Sequence, residues 1–164
     1  MLQLTKRTEY GLIALVHLMD HADGLAGQAP YVSAREISDR YPVPKRLLAE
    51  VLKDLARAQL IDSHRGATGG YALARRAEQI SLGDVVRALE GTPNVTGCRS
   101  DDANCEIEPV CPIKNPMSRV RAGIWELMER TSLRDLASNR EPQPPRLLLK
   151  QKPQTFNPFR AVGP

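Results

Sequence analysis

Two prolines, Pro42 and Pro44, limit what this chain can fold into more than any other pair of residues. The sequence favours helix on both sides of them, but a proline lacks a backbone N–H and pushes the residue before it out of the helical region. Ser33 to Tyr41 therefore reads as a short helix ending before Pro42, with Ser33 as N-cap and Glu36 at the third position in a capping box. Pro44 opens a second helix, where its missing N–H costs nothing. Leu47, Leu48, Val51, Leu52 and Leu55 recur on one face of that helix, leaving Lys45, Arg46, Lys53 and Arg57 to project elsewhere. Two helices joined by a tight turn, the second basic at its N-terminal end, make a helix-turn-helix whose second helix suits the major groove of DNA.

The stretch LIDSHRGATGGYALA, Leu60 to Ala74, then enters a polar, glycine-rich tip and leaves it with period-two alternation at Tyr71 and Leu73, which predicts a hairpin. Directly after a helix-turn-helix, a hairpin is a wing. Arg65 at its tip is placed to reach phosphates or a narrow minor groove, the alternative being a plain surface hairpin with a solvated arginine. Before these elements, Thr5 to Asp20 is apolar on nearly all sides and predicts a helix buried on more than one face. It carries His17 and His21, about one helical turn apart. A pair at that spacing can bind metal, but with no further ligand nearby in sequence the expectation is a packing His17 and a solvated His21. Ala22 to Pro30 reads as a loop.

Downstream, Ser81 to Glu90 is a further capped helix, with Ser81 and Asp84 at its start and Gly91 at its stop. Met117, Val120, Ile124, Leu127 and Met128, with Trp125, mark a long helix from about Pro116 to Arg130. A self-pairing dimer helix is a good use for it, and core packing within one subunit is the alternative. Thr131 to Ser138 can start a final short turn. Asn139 to Pro164 holds six of the 13 prolines and little periodicity, and reads as a disordered basic tail.

Between the last two helices lies Gly97 to Pro112, GCRSDDANCEIEPVCP, which contains every cysteine of the chain: Cys98, Cys105 and Cys111. Gly97, Pro109 and Pro112 preclude a continuous helix, and no alternation supports a strand, so this is a loop able to bring three thiolates to one point. Thiolates favour iron-sulfur clusters, zinc and copper(I). Ordinary thiols, or one disulfide and a spare, are the plainer reading. Clustering in a polar loop argues against cysteines used only for packing.

At 164 residues the chain can bury a real core without staples, and one compact unit is expected. It is organised as 1–77, the winged helix-turn-helix; 78–138, the cysteine loop and dimerisation helix; and 139–164, the tail. The first and last segments are net basic, with 11 basic to 8 acidic and 5 to 1 residues, whereas the middle has 7 to 10. That division suits a partner such as DNA that touches part of the surface. No long apolar run follows the basic residues of MLQLTKRTEY, so neither secretion signal nor membrane anchor is expected and the location should be cytoplasmic, where three cysteines suit a metal or redox site better than a disulfide framework. No paired nucleophile and base, phosphate loop or cofactor fingerprint points to an enzyme.

With wing and cysteines together, the sequence resembles the iron-sulfur winged-helix repressors typified by the cluster-assembly regulator IscR and the nitric oxide sensor NsrR. The resemblance runs from about Met1 to Ala137. It rests on LTKRTEYGLIAL at Leu4 to Leu15, SHRGATGGYALAR at Ser63 to Arg75, and three cysteines between a capped and a long helix. It implies a mainly helical fold with a small β-hairpin, and a homodimer binding a partly palindromic double-stranded DNA operator. It also implies one iron-sulfur cluster per subunit at the dimer interface, 2Fe-2S favoured over 4Fe-4S, and a repressor sensing cluster status, nitric oxide or oxidative stress.

Matched by position, Cys98, Cys105 and Cys111 look like the three thiolate ligands. IscR-like members add a histidine three residues after the last cysteine, but Lys114 stands there, and a protonated lysine is no ligand. NsrR-like members take a carboxylate from the first helix of the other subunit, a place corresponding to Glu9, whose other reading is a helix-start acid. The six residues between Cys98 and Cys105 are one more than the usual five. DNA contacts fall to Lys45, Arg46 and Arg65 on phosphates, with Tyr41 or Lys45 available to read bases. Alternatives are a winged-helix regulator using zinc or redox thiols, and an iron-sulfur carrier, which would leave wing and basic helix without purpose.

Overall fold

The computed structural model describes residues 4–23, 31–66, 69–91 and 110–138. Cys98, Cys105 and the expected tail lie outside the described residues. Among these residues, six helices and one hairpin follow in the order α1 (Lys6–Asp23), α2 (Ala34–Arg40), α3 (Lys45–Arg57), β1 (Ile61–His64), β2 (Gly70–Leu73), α4 (Leu82–Glu90), α5 (Lys114–Arg130) and α6 (Leu133–Ala137), with a 3-10 turn at Ala77–Gln79.

The long α1 forms the floor of the core. Ala14, Leu15, Leu18 and Met19 are buried in it, against Ile37 of α2, Leu48, Val51, Leu52 and Leu55 of α3, Val85 and Leu89 of α4 and Leu133 of α6. Gly11 lets α4 approach: a Cβ there would stand 2.5 Å from Leu89 Cδ1. α1 runs three residues beyond the expected Asp20, since nothing at Asp20 to Asp23 breaks a helix.

The start of α4 is made as expected, while those of α2 and α3 depart from expectation in part. Ser81 Oγ accepts from Asp84 N–H (3.0 Å) while Asp84 Oδ2 accepts from Ser81 N–H (3.2 Å). Gly91 ends that helix at φ 77°, a left-handed backbone conformation that glycine adopts without a Cβ penalty. At α2, Ser33 Oγ accepts from Glu36 N–H (3.1 Å), but Glu36 does not return the bond, and its carboxylate turns to the histidines of α1 instead. Pro44 serves as N-cap rather than first helical residue of α3, its carbonyl accepting from Leu48 N–H at 2.9 Å.

The hairpin has the expected span. Ile61 pairs with Leu73, Asp62 with Ala72, Ser63 with Tyr71 and His64 with Gly70. Alternation along β2 differs from expectation in sign: Gly70 and Ala72 are fully buried, whereas Tyr71 and Leu73 are half-buried and pack on the edge of the core. A second neighbour explains this. Val32 and Tyr71 exchange backbone bonds at 2.9 and 2.8 Å, so the segment entering α2 covers the far edge of β2.

Thr131 to Ser138 holds a helix where a turn was expected. Ser132 and Asp135 make a capping box, and a backbone bridge between Ser81 and Ser132 ties the start of α6 to that of α4. Towards its C-terminal end α5 packs on α4, where Gly83 admits the Glu129 backbone and a Cβ would stand 3.3 Å from its Cα. There Arg87 bonds Glu129 at 2.5 Å, Trp125 Nε1 donates to the same carboxylate at 2.8 Å, and the Arg87 guanidinium lies 4.9 Å from the Trp125 ring centroid. Met128 is buried, Met117 and Ile124 are half-buried, and Val110, Ile113 and Val120 are exposed. No helix among the described residues is long and apolar enough to cross a membrane.

Candidate DNA interface and cluster ligands

α2, the Tyr41–Pro44 turn, α3 and the hairpin form a winged helix-turn-helix. Burial of the leucine and valine stripe of α3 leaves its opposite face outward, so Lys45, Arg46, Lys53 and Arg57 are all exposed. Lys45 Nζ lies 3.9 Å from Asp39 Oδ1 and Arg46 Nε 3.6 Å from Glu50 Oε1. Exposed pairs of this kind contribute little, so a phosphate can take either cation from its partner. Arg65 is exposed just beyond β1. Arg35 and Arg40 of α2 are exposed as well; their position on the first helix of a helix-turn-helix, the one that crosses the DNA backbone, was the signal that would have singled them out.

Tyr41 caps the end of α2 and is half-buried. Its ring meets His17 edge-on with centroids 5.5 Å apart, and its hydroxyl lies 3.5 Å from His17 Nδ1. Part of this side chain is thus committed to α1.

Glu9 sits in the first turn of α1, its carboxylate 38% exposed and paired with exposed Lys6 at 2.5 Å. Cys111 is a half-buried free thiol three residues before Lys114, the first residue of α5. Neither donor is used by the core. Close by Glu9, a carboxylate from α4 fastens the start of α1: Glu90 Oε1 accepts from Thr5 N–H at 3.0 Å, from Thr5 Oγ1 at 2.8 Å and from the buried Thr8 hydroxyl. Burial alone would push the Glu90 carboxyl up, but the bonds from Thr8 and Thr5 outweigh it and hold its pKa below the ordinary value.

Residues 4–139 match the Rrf2 family model, described as an iron-dependent transcriptional regulator. The chain belongs to the Rrf2 family. It is a DNA-binding transcriptional regulator, in a family of regulators rather than enzymes whose members are generally dimers. Among solved structures it is similar to CymR (YrzC), the global cysteine regulator of B. subtilis, at 27% identity and TM-score 0.66 over 86% of this chain and 100% of that one. It is similar to T. potens IscR at 27% identity and TM-score 0.64 over 85% and 89%. The oxidized form of Staphylococcus aureus CymR matches at 28% identity and TM-score 0.63 over 85% and 99%.

Proposed function

We propose that this Rrf2 protein is a homodimeric repressor whose grip on a double-stranded DNA operator follows the state of an iron-sulfur cluster held by Cys98, Cys105 and Cys111, with Glu9 from the other subunit. The observation that carries the reading is the stretch of sequence from Gly97 to Pro112, which holds all the cysteines of the chain in a member of a family described as iron-dependent. The donors fit such a group: Cys111 is a free thiol, and Glu9 is paired at the surface with Lys6. When bound, a cluster with three thiolates and one hard carboxylate, 2Fe-2S by preference, supplies an iron open to oxidants or nitric oxide.

The chain itself supplies the rest. Cys111 leads straight into α5, so whatever holds this thiol also holds the first turn of that helix. Val110 and Ile113, just before α5, and Val120 on it are exposed, which suits pairing of this helix with the same helix of a second subunit. Two recognition helices must meet half-sites about one DNA turn apart, and their spacing depends on how the subunits pair. Lys45, Arg46 and Arg65 contact phosphates, joined by Arg35 and Arg40, while Tyr41 or Lys45 reads bases.

Iron, acid-labile sulfide and the visible spectrum of anaerobically purified protein test this, together with a Cys105→Ala variant. Iron and sulfide in equal amounts that vanish from a folded Cys105→Ala chain support the reading. Colourless protein that still binds DNA and whose affinity responds to thiol oxidation supports instead a thiol-based regulator, a second reading favoured by the likeness to CymR.

A further inference from the structure

Three side chains outside the cysteine loop converge between α1 and α2. His17 and His21 lie one turn apart on α1, and Glu36, at the third position of α2, points its carboxylate at both: Glu36 Oε1 is 3.1 Å from His21 Nε2 and 3.7 Å from His17 Nε2. His21 Nδ1 lies 2.8 Å from the His17 carbonyl, which can only accept, so Nδ1 carries the proton of that bond and neutral His21 turns the lone pair of Nε2 towards Glu36. His17 is 7% exposed, and its Nε2 has no hydrogen-bond partner among the described residues. Acceptors that face one another at this distance need a cation. A proton on His21 would satisfy the pair with Glu36, yet leave the buried Nε2 of His17 alone.

We propose that His17, His21 and Glu36 form a binding site for a divalent transition-metal ion of the zinc class, with water in the fourth position. Bonds of about 2.0–2.1 Å in a tetrahedron put ligand atoms roughly 3.4 Å apart, between the two distances above. All the ligand atoms already lie within 4.8 Å of one another. Outer partners are in place too: the His17 carbonyl orients His21, and the Tyr41 hydroxyl, 3.5 Å from His17 Nδ1, is set to orient His17. Glu36 and His21 are 49% and 36% exposed, which leaves a path for the ion and its water. The Glu36 capping bond that Ser33 does not receive is explained by this second use. An ion here fastens α2, and through Tyr41 the turn before α3, to α1, so the pose of the recognition helix responds to metal supply.

Cobalt(II) titration of the full chain, as wild type and as the Cys98→Ser, Cys105→Ser, Cys111→Ser triple variant, tests the site, with zinc displacement as a second reading. The expected result is one cobalt per chain in the triple variant, with visible d–d bands and no thiolate charge-transfer bands, removed by zinc. His21→Ala, at a half-buried position, and Glu36→Gln, at an exposed one, each weaken binding by at least about tenfold. No cobalt in the triple variant, or cobalt held equally well after both substitutions, overturns the proposal. Neither result bears on whether the cysteines hold a cluster.

Discussion

Gly70 is a glycine because the chain entering α2 runs across it: a Cβ would stand 2.5 Å from the Val32 carbonyl oxygen. Gly70→Ala should break the Val32–Tyr71 exchange and cost about 1–3 kcal/mol in urea unfolding. The sequence marks Gly70 only as part of a turn, since Val32, the bridge residue that demands it, lies 38 residues upstream. Glu90 is similar: in sequence it is the last residue of α4, but it caps α1 through Thr5 and Thr8. Its folded pKa is depressed, so its contribution is fully present above the ordinary carboxylate value and is lost as pH falls through the folded one. Glu90→Gln should lower stability at neutral pH by about 1 kcal/mol and flatten the loss of stability through the acid range, as unfolding midpoints across pH would show. His17 packs as expected and burial pushes its imidazole pKa down, whereas His21, expected in solvent, is half-buried against the His17 carbonyl and Glu36. Their carboxylate partner was out of reach of sequence reasoning because Glu36 belongs to another helix.

At the scale of elements, what was legible was what is local. Ser81 with Asp84, Gly91, and the stripe of α3 each act within a few residues, and each formed as read. Ser132 and Asp135 carry the same signature, which a search of that segment for capping pairs would have found. What depends on a second element was not legible: the covered edge of β2, the bridge between the starts of α4 and α6, and the half-made cap of α2. On the DNA side, Arg46→Ala and Arg65→Ala should each weaken binding across all sequences and reduce the slope of log affinity against log salt by about 1, measured by fluorescence anisotropy. On the α5 side, Val120→Asp places a charge on a residue already 47% exposed in the single subunit. It should shift the dimer towards monomer in analytical ultracentrifugation while leaving the far-ultraviolet circular dichroism unchanged. An unchanged dimer would remove this face from the subunit contact.

For the whole molecule, the winged helix and the Rrf2 family were legible because LTKRTEYGLIAL, SHRGATGGYALAR and three cysteines ahead of a long helix follow one another along the chain. The site that would join them draws Cys98 and Cys105 from outside the described residues and Glu9 from a second subunit, so residue types and order speak for it more than distances do. The central claim is that cluster state sets operator affinity. The most direct measurement is the affinity of one duplex, selected from a random pool by the protein, for anaerobic cluster-loaded and cluster-stripped forms of the same preparation. Loaded and stripped forms differing by at least about tenfold, with the difference abolished in Glu9→Ala or Cys105→Ala, is the result the account predicts. Equal affinity for both forms, with the cluster present and intact in the first, would contradict it.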